Sequence, residues 1–156
     1  MGPNNILVTE KDNGTVMRIV NFGIDFDPVT GKLWDTENGL LFGDEINLLE
    51  PGFNSGYNKI DGIWLRGYST DQTERHVAPL HPYNLVDFGS KGKYLIPKFT
   101  WFRSVGPTAI KFLNSDKLGR YYQDDMFVGD IINGNIYHFK LNKENNISSS
   151  SWSACR

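Results

Sequence analysis

Residues 126–139 read MFVGDIINGNIYHF, with the pair Asn133-Gly134 between two apolar runs. Asn-Gly at the centre of such a stretch is the strongest short signal for a β-hairpin, because the tight turn requires positive φ angles. The stretch therefore predicts two antiparallel strands joined by a short turn.

The same pattern occurs near the start of the chain. Residues 6–19 read ILVTEKDNGTVMRI and align with the first stretch without a gap. Ile6 then falls on Met126, and Ile19 falls on Phe139. This internal repeat predicts a second, related hairpin.

A third copy, LWDTENGLLFGDEINLL, occupies residues 33–49 and has a longer turn. Related hairpins in a chain of short apolar runs are typical of β-propellers, whose blades are four-stranded antiparallel sheets. Residues 20–32 separate the copy at 6–19 from the copy at 33–49, and this gap holds one strand near residues 23–26 but is too short for two. Part of a complete propeller is therefore expected to be missing near residues 20–22.

The predicted fold is all-β, a partial β-propeller of about two to three antiparallel four-stranded blades. One domain is expected to span residues 1–156. Its predicted parts are a first-blade-like hairpin (1–20), a signature blade (21–60), a long loop (61–95), a later blade (96–142) and a flexible tail (143–156). Residues 97–102 are expected to form a strand that closes or bridges a blade.

Charge, apolar runs and cysteine content exclude several classes of partner and feature. The chain of 156 residues has 16 basic and 18 acidic residues and a net charge of −2, without a basic stripe. Nucleic acid is therefore not an expected partner. No apolar run approaches the roughly 18 residues of a membrane span. The start of the chain lacks the pattern of a signal peptide, and Cys155 is the single cysteine, so no internal disulfide is expected.

The longest motif lies in residues 22–54, FGIDFDPVTGKLWDTENGLLFGDEINLLEPGFN. The run T-E-N-G, followed by G-D-E-I-N-L and P-G-x-N, resembles the glucose/sorbosone dehydrogenases. These are six-bladed propellers that use pyrroloquinoline quinone (PQQ) and calcium. Residues 100–141 resemble a later blade of that family, and residues 5–21 resemble its first blade. The resemblance implies a fragment of a quinone-dependent sugar dehydrogenase, an enzyme that oxidises a sugar hydroxyl to a lactone.

The resemblance also implies a set of site residues. The T-E-N-G turn corresponds to the family's calcium-binding loop, and calcium prefers oxygen ligands such as backbone carbonyls. The implied metal ligands are Gly39, Leu40 and Glu45. The implied cofactor-binding residues are Asn38, Gly39, Asp44 and Thr108.

Other family features do not carry over. Ile132 stands near the position of a lysine that contacts the cofactor, and Ile19 and Val20 stand where the family has an Arg-Asn pair. The catalytic histidine belongs to an earlier blade, so no catalytic residue is assigned. The chain is therefore expected to be inactive alone, and whether it is an enzyme stays open. The alternative is a non-catalytic propeller-like module for assembly or binding.

Several polar residues have competing interpretations. Glu10, Glu37 and Asp130 share one position of the repeat, where they would either ring a central channel or accept hydrogen bonds from nearby turn amides. The histidines His76 and His81 are expected to be solvated in the long loop. His138 is expected at the surface or edge of a strand.

A partial propeller exposes sheet faces and edges that neighbouring blades would cover. A homodimer that closes a propeller-like ring is therefore the expected assembly, with a sugar as the candidate substrate. The family resemblance implies a periplasmic or secreted protein.

Overall fold

The computed structural model describes residues 5–9, 16–20, 23–40, 42–57, 59–65, 76–79, 85, 92–148 and 153–155, with backbone alone in the first two ranges and the last. Its strands are β1 (Asn5–Thr9), β2 (Val16–Val20), β3 (Gly23–Phe26), β4 (Leu33–Glu37), β5 (Asp44–Leu49), β6 (Phe53–Asn54), β7 (Ile60–Asp61), β8 (Trp64–Leu65), β9 (Lys93–Tyr94), β10 (Phe99–Trp101), β11 (Pro107–Phe112), β12 (Met126–Asp130), β13 (Ile136–Phe139) and β14 (Ser153–Cys155). A single turn of 3-10 helix covers Arg120–Tyr122.

Two four-stranded antiparallel sheets form the centre of the molecule. Blade A has the strand order β10-β5-β4-β3, and blade B has the order β11-β12-β13-β14. The end strands β3 and β11 lie side by side, and a Cβ atom at Gly23 would come within 2.7 Å of the Ile110 nitrogen. Glycine at position 23 therefore allows the two blades to approach closely.

The three hairpins of the sequence repeat share one register. Ile6 pairs with Ile19 in the β1–β2 hairpin, and Met126 pairs with Phe139 in the β12–β13 hairpin. In the third copy, β4 pairs antiparallel with β5 from Leu33↔Leu49 to Glu37↔Glu45. The hairpins predicted from the repeat are thus confirmed within the described strands.

The boundaries of the two blades differ from the predicted ones. β10 pairs with β5 through Phe99↔Ile46 and so completes blade A, although residues 96–142 were expected to form the later blade. Pairing with β10 satisfies backbone groups of β5 that would otherwise lack partners. β14 pairs with β13 and completes blade B, which gives a strand to the segment 143–156 that was predicted as a flexible tail.

Blade A is interrupted between its third and fourth strands by residues 50–98. The described parts of this insertion contain two short pairs, parallel β6–β9 and antiparallel β7–β8. The insertion includes the predicted long loop, residues 61–95.

The hydrophobic core lies between the two blades. Trp34 and Ile46 of blade A are fully buried, as are Met126 and Phe139 of blade B. The rings of Trp34 and Phe112 pack across the blades with centroids 6.3 Å apart. Each buried apolar side chain of this size contributes about 1.5–3 kcal/mol relative to an exposed one.

Within the described residues, no helix has the length and apolar character needed to cross a membrane.

Candidate functional site

The carboxylate of Asp44, at the start of β5, joins loops from both blades. It accepts hydrogen bonds from the backbone amide of Gly39 at 2.9 Å and from the amides of Val105 and Gly106 at 2.7 and 2.8 Å. The Ser104 hydroxyl lies within 3.0 Å of both carboxylate oxygens. Asp44 is fully buried, so these protein donors take the place of water.

The two joined segments are residues 38–43, which connect β4 to β5, and residues 102–106, which connect β10 to β11. We call these segments the calcium loop, after the family's calcium-binding loop that the resemblance likens it to, and the bridging loop. The candidate functional site consists of both loops together with Asp44 and Thr108. It lies at one end of the sheets, since the β4–β5 connection and the start of β11 meet there through Asp44.

Close packing fixes the calcium loop. A Cβ atom at Gly39 would overlap the carbonyl oxygen of Phe42, so a larger residue cannot fit without moving the loop. Leu40 is 69% exposed. The side-chain oxygen of Asn38 is buried and has no hydrogen-bond partner within the part of the chain that the structure describes. A buried oxygen of this kind is costly unless it meets a donor or a cation.

Thr108 is the part of the site that belongs to a strand of blade B, two residues after Gly106. The register of β11 against β12 shifts between Pro107 and Ala109, which leaves Thr108 at a β-bulge. Bulges redirect side chains and are frequent next to functional sites. A Cβ atom at Gly129 of β12 would lie 3.4 Å from the Thr108 hydroxyl, so the absence of a side chain at position 129 leaves room beside that hydroxyl.

Glu45 is set apart from the calcium loop. It follows Asp44 in β5, so its side chain points to the opposite face of the sheet. There its two oxygens accept hydrogen bonds from the Gly62 amide at 2.6 Å and from the Asn47 side chain at 3.0 Å. The structure therefore brings Asn38, Gly39, Asp44 and the segment preceding Thr108 together, and leaves Glu45 on the other face.

The environment of Glu45 favours its neutral form. Burial raises the pKa of Glu45 well above its ordinary value, and the charges of Glu37 and Asp35 raise it further. The hydrogen bonds from Asn47 and Gly62 oppose this shift without cancelling it. On the same face, burial and the charge of Glu45 raise the pKa of Tyr94 to about 12.

The two loops of the site carry little positive charge. In the calcium and bridging loops, Arg103 is the one basic residue, and its side chain is exposed. Ile132 lies beside the bridging loop, because its amide donates to the Val105 carbonyl at 3.2 Å, and it is 60% exposed. The position that the resemblance assigns to a cofactor lysine is thus an exposed aliphatic side chain.

Asp130, one of the three acids that share a repeat position, serves the β12–β13 turn. Its carboxylate accepts hydrogen bonds from the backbone and side-chain nitrogens of Asn133, at 2.7 and 2.9 Å, and from the Tyr137 hydroxyl at 3.0 Å. Burial acts to raise the pKa of Asp130, but these hydrogen bonds outweigh it and lower the pKa. For Asp130, the geometry matches the interpretation that repeat acids accept from turn amides; Glu10 lies outside the described residues.

The prediction that His138 lies at the surface is wrong. Its side chain is buried, Nε2 lies 2.7 Å from the Asp125 carboxylate, and its ring stacks on Phe127 with centroids 5.1 Å apart. Tyr122, from the 3-10 helix, packs against the same ring and covers this face of β13. His76 is exposed, and His81 lies outside the described residues.

Sequence reasoning did not identify the bridging loop. Two of its donors to Asp44 are backbone amides, which leave no trace in residue type, and Ser104 carried no signal of its own. Among the described residues, no cluster of three or more histidine, cysteine or acidic side chains is arranged to hold a metal ion.

Comparison with known proteins identifies a family and a relative that the sequence matches. The sequence profile of the family described as Glucose / Sorbosone dehydrogenase matches residues 17–154. A protein of Synechocystis sp., itself described as uncharacterized, is 32% identical over 125 residues, which is 80% of this chain and 27% of that protein.

Two solved structures share the fold. The soluble aldose sugar dehydrogenase from Escherichia coli, in its apo-form, matches 91% of this chain and 39% of its own length, with a TM-score of 0.60 at 21% identity. The PQQ-bound form of an aldose sugar dehydrogenase from Streptomyces coelicolor matches 85% of this chain and 29% of its own length, with a TM-score of 0.53 at 15% identity. The prediction of a partial β-propeller is confirmed, and the chain spans well under half the length of these proteins.

Proposed function

Because the chain belongs to the glucose/sorbosone dehydrogenase family, we propose that it forms part of a quinone-dependent sugar dehydrogenase. In this proposal the calcium loop supplies oxygen ligands to a calcium ion, and Thr108 lies beside the quinone. The sugar hydroxyl would be oxidised to a lactone at a site that this chain shares with other protein segments.

The buried oxygen of Asn38 is the observation that carries the proposal. It has no hydrogen-bond partner among the described residues, and it lies next to Gly39, whose amide donates to Asp44. An amide oxygen and the neighbouring carbonyls of Gly39 and Leu40 form the kind of donor set that a hard cation prefers. The residues present therefore fit calcium. Glu45 has weaker support as a ligand, because it lies on the opposite face of β5.

The fit to PQQ itself is partial. When bound, the quinone supplies the two-electron acceptor for sugar oxidation. Its carboxylates need cationic or hydrogen-bonding partners, and Arg103 is the one basic residue that the two loops offer. Thr108 offers a hydroxyl at the adjacent bulge. Asp44 contributes by holding the loops, since both its oxygens already accept hydrogen bonds from the protein.

The chain spans 39% of the E. coli aldose sugar dehydrogenase and 29% of the S. coelicolor one. No described histidine lies in the candidate site, and the resemblance assigns the family's catalytic base to an earlier blade. We therefore expect the isolated chain to bind calcium without oxidising sugars.

Calcium titration by isothermal calorimetry tests the proposal. The chain should bind calcium, and Asn38→Ala should weaken binding about tenfold, the usual effect of losing one good ligand contact. Asn114→Ala is the matched control, because Asn114 is exposed and follows the end of β11, whereas the bridging loop precedes the start of that strand. Absence of calcium binding to the unaltered chain would overturn the calcium part of the proposal.

A second candidate is a non-catalytic module for assembly or binding. The exposed Ile132 favours it, since a lysine is expected there in a quinone-binding blade. Reconstitution with PQQ and calcium separates the two candidates. Dye reduction with aldoses supports the dehydrogenase, whereas calcium binding without tight quinone binding supports the module.

We also propose that the chain self-associates into a dimer that closes a ring of blades. The outer face of blade B exposes Ile136 and Tyr121, with 51% and 67% of their surfaces accessible, and β10 and β14 are edge strands of their sheets. Sedimentation at micromolar concentration should give a dimer, and a monomer would refute this assembly.

A periplasmic or secreted location, implied by the resemblance, can be tested by cell fractionation.

A further inference from the structure

We infer that Asp44 is a positioning residue that couples the shape of the calcium loop to the docking of blade B. The inference rests on the proposed function, because it concerns how the proposed calcium site is held. Asp44 belongs to blade A, yet three of the groups that donate to its carboxylate come from the bridging loop that leads into blade B.

The donors are divided between the two carboxylate oxygens. One oxygen accepts from the Gly39 amide at 2.9 Å, and the other accepts from the amides of Val105 and Gly106 at 2.7 and 2.8 Å. The Ser104 hydroxyl reaches both oxygens, at 3.0 and 2.9 Å. A single side chain therefore orients the peptide before Gly39 and the course of the bridging loop together.

A carboxylate suits this position because it only accepts hydrogen bonds, and every neighbour named above can donate. Hydrogen bonds to a carboxylate are stronger than those between neutral groups. Since Asp44 is fully buried, water cannot replace a lost partner. A shift of either loop therefore disturbs the other, and an ion that orders the calcium loop also stabilises the contact between the blades.

Packing around Asp44 adds to the coupling. The Thr100 hydroxyl donates to the Asp44 backbone carbonyl at 3.0 Å, and the Gly43 amide donates to the Trp101 carbonyl at 3.1 Å. These contacts hold the Asp44 backbone to β10 without involving the carboxylate. Backbone position and carboxylate function can therefore be tested by separate substitutions.

The substitution Asp44→Asn makes a selective prediction. An asparagine has one acceptor oxygen, which should turn towards the two amides of Val105 and Gly106. Its NH2 group would then face the Gly39 amide, two donors that cannot bond to each other. The Gly39 contact should be lost while the bridging-loop contacts persist.

Amide hydrogen exchange, followed by NMR on the purified chain without calcium, measures this directly. In Asp44→Asn, protection of the Gly39 amide should fall about tenfold relative to the amides of Val105 and Gly106, as expected for loss of one hydrogen bond. Thr100→Val, the control, removes a hydroxyl that donates to the Asp44 backbone carbonyl and not to its carboxylate, and it should leave the ratio unchanged. A uniform fall at all three amides, or unchanged protection at Gly39, would refute the positioning role.

Calcium addition to the unaltered chain provides a second measurement, which does not require the variant to fold. Protection of the Val105 and Gly106 amides should rise together with that of Gly39 as calcium is added, because binding stabilises the state in which both loops are ordered. Calcium that protects Gly39 alone would refute the coupling.

The two proposals fail in different ways. If calcium does not bind the unaltered chain, the proposed calcium site is wrong, while the exchange ratio in Asp44→Asn still decides the role of Asp44. If calcium binds equally well to the unaltered chain and to a folded Asp44→Asn variant, the calcium site stands and the positioning role is wrong. We expect about tenfold weaker calcium binding in the variant.

Discussion

The carboxylate of Asp25 accepts a hydrogen bond from the backbone amide of Phe112 at 2.8 Å, and so joins β3 of blade A to β11 of blade B. The Lys111 ammonium group lies 2.8 Å from the same oxygen. This contact is near the ends of β3 and β11 that are remote from Asp44. A buried or half-buried carboxylate therefore accepts hydrogen bonds between the blades at each end of their shared edge, Asp25 at one end and Asp44 at the other.

Asp25→Asn should lower the free energy of unfolding by about 1–2 kcal/mol, because the Phe112 amide loses a charged acceptor. Lys111→Met should cost less, about 0–1 kcal/mol, because Lys111 is 74% exposed and its ion pair is screened by solvent. Urea denaturation at pH 7 measures both. Equal losses in the two variants would show that the ion pair, and not the amide contact, dominates.

Acid should weaken this contact in a predictable direction. Burial acts to raise the pKa of Asp25, but the hydrogen bonds from Lys111 and Phe112 outweigh it, so the pKa is lowered in the folded chain. A lowered pKa gives stability that is present above the ordinary aspartate pKa and is lost as pH falls through the folded value. In urea titrations below pH 5, Asp25→Asn should therefore lose less stability than the unaltered chain. Parallel pH curves would contradict the assignment.

Glu45 should act in the opposite direction. Its raised pKa means that its contribution to stability is complete below the ordinary glutamate pKa and is lost as pH rises through the folded value. Glu45→Gln should therefore be more stable than the unaltered chain at pH 8, with the difference vanishing below pH 4. The buried, unpartnered Asn47 oxygen can accept from the new amide if the Asn47 side chain flips.

Thermal melts from pH 4 to 8 test the Glu45 prediction. Glu144→Gln is the matched control, because it makes the same substitution at an exposed position. A Glu45→Gln variant that is less stable than the unaltered chain at pH 8 would indicate that the buried carboxylate is needed in its charged form.

Core packing between the blades should tolerate little change. Phe112 is 2% exposed and packs on Trp34, so Phe112→Ala should cost about 3–5 kcal/mol through lost burial and the cavity left behind. Phe26→Ala, at a side chain that is 61% exposed, should cost less than about 1 kcal/mol. Denaturant midpoints of the two variants provide the measurement. Similar midpoints would mean that the blades do not share this core in solution.

Position 134 in the β12–β13 turn should require glycine because of its backbone conformation and not because of lack of space. Its φ is +70°, and nothing lies within 4 Å of a Cβ atom built there. Gly134→Ala should therefore cost about 1 kcal/mol through strain and not through a clash. Gly129→Ala, at an extended strand position, is the control for replacing a glycine of the same hairpin. A neutral Gly134→Ala would show that the turn adopts another conformation.

The sequence predicted the hairpins well because local chemistry determines them. The alignment of Ile6 with Met126 and of Ile19 with Phe139 predicts two related hairpins, and both occur with matching pairs. The assignment of β10 to a blade was harder. Phe99 pairs with Ile46 across the insertion, and no pattern in neighbouring residues predicts a pairing between strands so distant in sequence.

The candidate site was predictable only where side chains carry the pattern. The motif around Asn38, Gly39 and Asp44 identified one half of the site. The other half depends on the amides of Val105 and Gly106, which any residue except proline could supply. His138 was misplaced because its burial depends on Tyr122, whose position follows from a turn between strands and not from the period of β13.

The insertion within blade A has a consequence for the order in which the chain can fold during synthesis. The Thr100 hydroxyl and the Asp44 carbonyl are 56 positions apart in the chain, yet they meet at the junction of β5 and β10. Contacts this distant in sequence form slowly, because a long loop must close first. While residues 50–98 emerge from the ribosome, β5 has an open edge that can pair with the wrong strand. A ribosome pause before residue 101 would therefore prolong the exposure of this edge, and a bound chaperone would protect it.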